Sequence, residues 1–275
     1  IYDSDDSLSA VKKCMEKRGI SQQQIAPQAI AARISGAKNQ LISPKAYAEM
    51  ARDFIDEKVA QVYEEYETTL KRSNAMDFDD LLVKPIELFQ HHPDVLKKYH
   101  HRFRFILVDE FQDTNRAQYA VVRLLGQEHR NICVVGDDAQ SIYAFRGADI
   151  RNILDFAKDY PDCKTFRLEQ NYRSTKSILA IADRLIKNNV DQLHKNLWTA
   201  NAQGEAVVLL DCYDDRDEAY QILQAIQAEI IENQLALRDF AVLYRTNAQS
   251  RAIEDVLRRS GIPYVIVGGI RFYER

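Results

Sequence analysis

The sequence predicts an α/β protein, with a helical block at its N-terminal end and two α/β lobes after it. Three observations carry that reading. Up to about residue 90 the apolar residues recur at three- to four-residue steps, and no convincing strand interrupts them. From about residue 103, short β-rich apolar runs alternate with helical stretches, the order expected of parallel strands joined by crossovers. A second alternating set begins near residue 174, which puts the boundary between lobes near residues 168–173. The divisions are then 1–90 for the helical block, 91–168 for the first lobe and 169–275 for the second.

In the helical block, Tyr47, Met50, Phe54, Val59, Val62, Tyr63, Tyr66 and Leu70 form one apolar stripe, which predicts a single long helix with Pro44 near its start. Residues 105–108 and 132–135 read as strands, with a helix over 117–125 between them. A helix over 150–160 and a further strand at 165–168 complete the first lobe. The second set reads as helix 174–187, strand 206–210, a helix whose inner face carries Ala219, Ile222, Leu223, Ile226 and Ile230, strand 240–244, helix 248–259 and strand 264–267.

Composition sets outer limits. A chain of 275 residues is long enough for two domains. With 37 basic and 41 acidic residues the net charge is −4, so any nucleic-acid contact must come from a local surface rather than from bulk charge. The four cysteines, Cys14, Cys133, Cys163 and Cys212, are scattered without a Cys-x-x-Cys pair, which fits a reducing cytoplasm better than a disulfide framework. No apolar run is long enough to span a bilayer and no signal peptide is evident, so no membrane partner is expected. The chain opens at Ile1 without a methionine and stops at Arg275 directly after an apolar run, so both ends are expected to be cuts.

Three segments carry chemistry. The first, Phe105-Ile-Leu-Val-Asp109-Glu110-Phe-Gln-Asp-Thr-Asn115, is an apolar strand that ends in an acidic pair. Open parallel sheets gather their ligands at the carboxyl ends of strands. There Asp109 could hold magnesium while Glu110 orients an attacking water; alternatively, the pair merely ends a strand with charge. The second is Val134-Val-Gly-Asp137-Asp-Ala-Gln140-Ser-Ile-Tyr143-Ala-Phe145-Arg146-Gly147. Its Gln140 could report on a terminal phosphate, Asp137 would order the same turn, and Gly136 would serve a tight turn in any case. Tyr143, Phe145 and Arg146 interleave aromatics with a cation, a platform for unpaired bases, although isolated aromatics more often pack a core. The third, Leu168-Glu-Gln-Asn-Tyr172-Arg173-Ser-Thr175, sets a ring that could cover an adenine beside a guanidinium suited to phosphate. The plain alternative is a surface arginine just before a helix.

The joint order and spacing of these blocks resembles the superfamily 1 DNA helicases of the UvrD/PcrA/Rep type. The likeness runs from Met76-Asp-Phe-Asp-Asp-Leu-Leu82 onward, and Asn196-Leu-Trp-Thr199, Phe240-Ala-Val-Leu-Tyr-Arg-Thr-Asn-Ala-Gln-Ser-Arg251 and Gly268-Gly-Ile-Arg-Phe-Tyr273 favour the UvrD/PcrA branch. The resemblance implies two RecA-like P-loop NTPase lobes, both incomplete, with a helical insertion domain at the N-terminal end. It implies an ATP-dependent 3′–5′ helicase that uses ATP and Mg2+ and acts on single-stranded DNA and 3′-tailed duplex DNA, with repair or replication proteins as partners. Carried over by position, Asp109 and Glu110 fall on the magnesium-and-water motif, Gln140 on the γ-phosphate sensor, Tyr172 on the adenine-stacking ring and Arg173 on an arginine finger. Tyr143 and Phe145 fall on aromatics that stack on single-stranded DNA, Arg146 on a residue coupling the DNA and nucleotide sites, and Arg245 and Asn247 on a DNA-contacting segment of the second lobe.

The pattern departs from the family in places. No glycine in this chain is followed by lysine, so the phosphate loop Gly-x-x-x-x-Gly-Lys-Ser/Thr is absent, and the chain alone is expected to show little ATPase and no unwinding. Phe145 stands where tryptophan is frequent, and Ala139 where aspartate is common. Two other readings compete with a motor: a non-catalytic binding or scaffold module that keeps the fold, and a subunit of a helicase–nuclease. His91-His92 and His100-His101 raise a metal site, but their flanks, Pro93 and Lys97-Lys98, read as a solvated helix and its turn.

Overall fold

Six helices make up the N-terminal block of the computed structural model, which describes residues 1–190 and 192–267. Asp3 starts α1 (Ser4–Lys17): its carboxylate accepts from the N–H groups of Asp5 and Asp6 at 2.9 and 2.8 Å. Pro27 occupies the first turn of α2 (Pro27–Asn39), where its missing N–H leaves no hydrogen bond unmade. Ser43 caps α3 (Pro44–Met50) and Asp53 caps α4 (Phe54–Arg72). Then come α5 (Asp80–His91) and α6 (Pro93–Arg102). Val11, Cys14 and Met15 of α1, Ile30 and Ile34 of α2, and Val59, Val62, Tyr63, Tyr66 and Leu70 of α4 share one buried core.

The single long helix expected from Tyr47 to Leu70 is in fact two. Ala51 and Asp53 are both extended, and the Asp53 carboxylate accepts the Asp56 N–H at 2.8 Å, so a cap interrupts the apolar period. Met50 and Phe54, which flank the break, are exposed. The inner stripe holds from Val59 onward.

A buried ionic knot ties α2 and α4 to the Met76–Leu82 run at the start of α5. The Lys38 ammonium is 2% exposed and lies 2.7 Å from Glu67, 2.8 Å from Asp77 and 3.0 Å from Asp80. Asp77 and Asp80 exchange backbone bonds, Asp80 N–H to Asp77 Oδ1 at 2.8 Å and Asp77 N–H to Asp80 Oδ2 at 3.2 Å, and Tyr66 donates to Asp77 at 3.1 Å. Burial opposes a charge on Lys38, but Asp77 and Glu67 outweigh it and hold the ammonium well above the usual lysine range.

After α6 the chain forms β1 (Ile106–Val108), crosses through α7 (Arg116–Gly126) and returns as β2 (Ile132–Val134), parallel to β1 with Ile106 opposite Ile132. This is the expected strand–helix–strand unit. Asn115 and Gln118 form a reciprocal capping box at the start of α7. Phe111, Tyr119 and Phe156 pack edge to face behind the sheet, against Val108, Val122, Ile132 and Val134. The expected helix over 150–160 is split at Asp155 into α8 (Arg151–Leu154) and α9 (Phe156–Asp159).

The chain divides into two units, Ile1–Tyr172 with Ala180–Ala200, and Arg173–Leu179 with the described residues from Asn201 on. The division falls within α10 (Lys176–Ile186), whose residues up to Leu179 are assigned to the second unit and the rest to the first. In the second unit α11 (Asp215–Asn233) packs on α12 (Ser250–Arg259) through Ala219, Leu223, Val256 and Leu257. Four expected strands, at 165–168, 206–210, 240–244 and 264–267, do not form as strands. A strand exists only through its ladder, and among the described residues no neighbour pairs with them; Leu209 and Leu243 are 93% and 94% exposed. Residues 268–273, quoted above for the resemblance, lie outside the described residues.

Candidate functional site

The acidic pair sits where β1 ends. Val135 N–H donates to Val108 O at 2.8 Å and Phe111 N–H to Val135 O at 2.9 Å, which extends the pairing past both strands and holds Asp109 and Glu110 between two anchored residues. Glu110 pays for this with a left-handed backbone, φ 49°, rare for a side chain without a local reason to adopt it. Its N–H donates to Asp109 Oδ1 at 2.9 Å, and Asp113 N–H returns to the Glu110 carbonyl at 2.9 Å. Both carboxylates remain exposed.

A chain of hydrogen bonds runs from Glu110 to Gln140. The buried Gln112 donates through Nε2 to Glu110 Oε2 at 2.8 Å and accepts at Oε1 from the Asp137 N–H at 3.0 Å. Asp137 in turn accepts from Gln140 Nε2 at 2.8 Å. The two sequence segments therefore meet in one network, with Gly136 packed against the Gln112 amide.

Lys195 closes the network from a distant part of the chain. Its ammonium pairs with Asp137 and lies 3.3 Å from Asp138, while Leu193 N–H donates to Asp138 Oδ2 at 2.8 Å. Burial works to raise the Asp137 pKa, but hydrogen bonds from Lys195 and Gln140 prevail and hold it below the usual carboxylate range. Lys195 is correspondingly raised: burial opposes its charge and the two aspartates overcome that. Sequence reasoning missed Lys195 and the buried Asp138. A lone lysine in a loop, 58 residues from its partner, carries no local signal.

Downstream, Tyr143 and Phe145 lie with ring centroids 6.0 Å apart, and the Arg146 guanidinium sits 5.0 Å from the first ring and 5.4 Å from the second. Phe145 is 74% exposed, so it is a surface ring rather than a core one. Gly147 adopts φ 90° and turns the chain immediately after this cluster.

Tyr172 is exposed in the first unit and donates to Gln170 Oε1 at 2.9 Å, on the short bridge between Gln170 and Trp198. Arg173 belongs to the second unit, as do Arg245 and Asn247. These last two are exposed in the turn before α12, where the Asn247 carbonyl accepts from Ser250 Oγ at 2.9 Å. The structure thus unites Asp109, Glu110 and Gln140, and separately Tyr143, Phe145 and Arg146.

Among the described residues no set of three or more His, Cys, Asp and Glu side chains is grouped as for a metal. Of the four histidines raised above, His91 meets the Glu87 carbonyl at 2.7 Å, and His100 engages Glu128 at 2.9 Å and the Leu124 carbonyl at 2.8 Å. Nor is any described helix long and apolar enough to cross a membrane.

Comparison with known proteins names the architecture. Residues 1–161 match the model of the UvrD/REP helicase N-terminal domain. The chain belongs to the UvrD/REP helicase family. Residues 166–275 match the UvrD-like helicase C-terminal domain, so the fold is that of a UvrD-like helicase. Among curated relatives, the chain is similar to proteins named ATP-dependent DNA helicase PcrA from Staphylococcus aureus and Leuconostoc citreum, each 46% identical over 275 residues. A third of the same name, from Staphylococcus epidermidis, is 45% identical over 278 residues. All of this chain is covered in these matches, but only 38%, 37% and 38% of the respective relatives.

Proposed function

We propose that this chain is the part of an ATP-dependent DNA helicase that places the hydrolytic water and grips unpaired bases. The observation that carries the reading is the continuous hydrogen-bond chain from Glu110 through Gln112 and Asp137 to Gln140. It is supported by the name shared by the relatives.

In this mechanism the Glu110 carboxylate accepts a hydrogen bond from water and aims its oxygen at the terminal phosphorus. One N–H of Gln140 is engaged by Asp137 and the amide retains a second for a phosphate oxygen. The Asp109 carboxylate fits magnesium, which favours hard oxygen ligands and needs only one or two from protein beside those of phosphate. When bound, that ion would neutralise charge on the phosphate oxygens. Tyr172 covers the adenine, and Arg173 acts as the finger that stabilises charge on the transferring group.

Tyr143 and Phe145 stack on successive bases, with Arg146 over both rings linking DNA occupancy to the turn that carries Gln140. Arg245 and Asn247 contact the strand from the second lobe. Movement is 3′ to 5′, the substrate is single-stranded DNA or 3′-tailed duplex in the cytoplasm, and repair or replication proteins are the partners. The chain alone is expected to turn over little ATP, because no residue run in it supplies a phosphate loop.

The deciding experiment measures DNA-stimulated ATP hydrolysis by the longer protein that contains this chain. Glu110→Gln should lower kcat by roughly 10²–10⁴, and Arg173→Ala by on the order of 10³, both with DNA affinity retained. Unchanged turnover in Glu110→Gln would remove the hydrolytic reading.

A further inference from the structure

Gln112 reaches from the acidic segment toward both nucleotide-handling groups without occupying either position. Its side chain is 1% exposed, yet both ends of its amide are matched: Nε2 to Glu110 Oε2 at 2.8 Å, Oε1 to the Asp137 N–H at 3.0 Å. Its backbone carbonyl also accepts from Ser141 Oγ at 3.2 Å. A flipped amide would set its NH2 against an N–H and its oxygen against a carboxylate, so a single orientation satisfies the network.

The packing around it is equally exclusive. A Cβ on residue 136 would stand 2.5 Å from Gln112 Oε1 and 2.9 Å from Ile153 Cδ1, so glycine there is what lets the amide lie against the turn. From that turn Asp137 holds Gln140.

We infer that Gln112 is a positioning residue for hydrolysis: it fixes the Glu110 carboxylate relative to the turn bearing Gln140. A displacement of Gln140 on meeting phosphate then passes through Asp137 and Gln112 to the group that aims the water. The inference rests on the hydrolytic role proposed for Glu110, and it deepens that role by naming what holds the carboxylate in place.

Two substitutions in the longer protein test it. Gln112→Glu keeps an acceptor for the Asp137 N–H but replaces the donor facing Glu110 with a second carboxylate. Gln112→Met keeps the length and removes both bonds. Gln112→Glu should lower kcat roughly ten- to a hundredfold, the span expected for losing one hydrogen bond to a charged group, with KM for ATP close to the parent's and a lowered melting temperature, because the new carboxylate is buried beside Glu110. Gln112→Met should lose at least as much kcat. A kcat within twofold of the parent in Gln112→Glu, or a loss confined to KM, overturns the inference. Should Gln112→Glu fail to fold, Gln112→Met decides, and a folded Gln112→Met with kcat within twofold of the parent's overturns the inference. Glu110→Gln measured alongside separates the two proposals. If that variant is inactive while Gln112→Glu is normal, the positioning role alone fails; if it turns over normally, the hydrolytic reading itself fails.

Discussion

The side-chain amide of Asn115 donates to Asn39 Oδ1 at 2.7 Å, joining the end of α2 to the residue that closes the acidic segment and caps α7. Asn39 continues inward through its own NH2 to the Ser35 carbonyl at 2.9 Å and Asp79 Oδ1 at 3.0 Å. The helical block is therefore wired by polar bonds to the start of α7. Asn39→Ala should cost about 1–3 kcal/mol of unfolding free energy by leaving the partly buried Asn115 and Asp79 groups short of partners, read from urea denaturation. Parental stability would mean that water replaces the bonds without loss.

Lys38 offers a larger effect. Lys38→Met leaves Asp77 and Asp80 buried without their cation, and breaking such a group typically costs about 3–5 kcal/mol. Adding Asp77→Asn and Asp80→Asn should recover part of the loss. The pH dependence has a definite sign. Lys38 is raised in the folded state, so its contribution is fully present below the unfolded pKa of about 10.4 and is lost as pH climbs through the folded value. Tyr63 and Tyr66 are raised too, chiefly by burial, and act in the same direction from about 10 upward. Stability measured between neutral and strongly alkaline pH should fall, less steeply in Lys38→Met. A slope unaffected by the substitution would contradict this assignment.

Asp137 acts at the opposite end of the scale. Its pKa is depressed in the folded state, so its contribution is present above the unfolded value of about 3.9 and disappears as pH drops through the lower folded value. Asp137→Asn should flatten the acid limb of the unfolding curve. Lys195→Met should do the same and make the segment around Leu193 more susceptible to limited proteolysis. Identical acid limbs in all three proteins would show that the pairing contributes nothing.

Gly136→Ala tests the close packing around Gln112. The added methyl would meet Gln112 Oε1 at 2.5 Å and the Phe111 backbone nitrogen at 3.2 Å, and the latter cannot rotate away. Overpacking of this kind costs about 1–3 kcal/mol, measurable as a lower midpoint in chemical denaturation. A neutral result would mean that the turn yields more readily than its hydrogen bonds indicate.

Phe145→Ala tests the stacking platform proposed for unpaired bases. Losing one stacked ring should weaken single-strand binding of the longer protein by about 1–3 kcal/mol, with the salt dependence nearly unaltered because no charge is removed. Arg146→Ala should weaken binding and also reduce that dependence. Fluorescence anisotropy titrations at several salt concentrations distinguish the two, and full affinity in Phe145→Ala would retire the stacking role.

Most helices were legible because apolar period and capping residues agree: Arg116–Gly126 carries both an inward face and the Asn115–Gln118 box. The break before Phe54 was legible too, in Asp53 three residues ahead of Asp56, but the apolar stripe masked it. Strands are harder. Residues 206–210 and 240–244 have the composition of strands, yet a ladder depends on a second segment that local sequence does not specify. At the candidate site, Asp109, Glu110 and Gln140 stood out because strand ends concentrate chemistry. Lys195 did not, since its importance arises only from a partner far away along the chain.

The unusual backbone at Glu110 carries an evolutionary corollary. Glycine adopts that geometry without steric penalty, so where that relief exceeds its entropic cost, variants screened purely for resistance to heat would drift toward glycine at position 110. If Glu110 places the hydrolytic water as proposed, screens for turnover would pull the same codon back to glutamate. Durability and work would then diverge at this position, and competing the two screens on one library would reveal the trade directly.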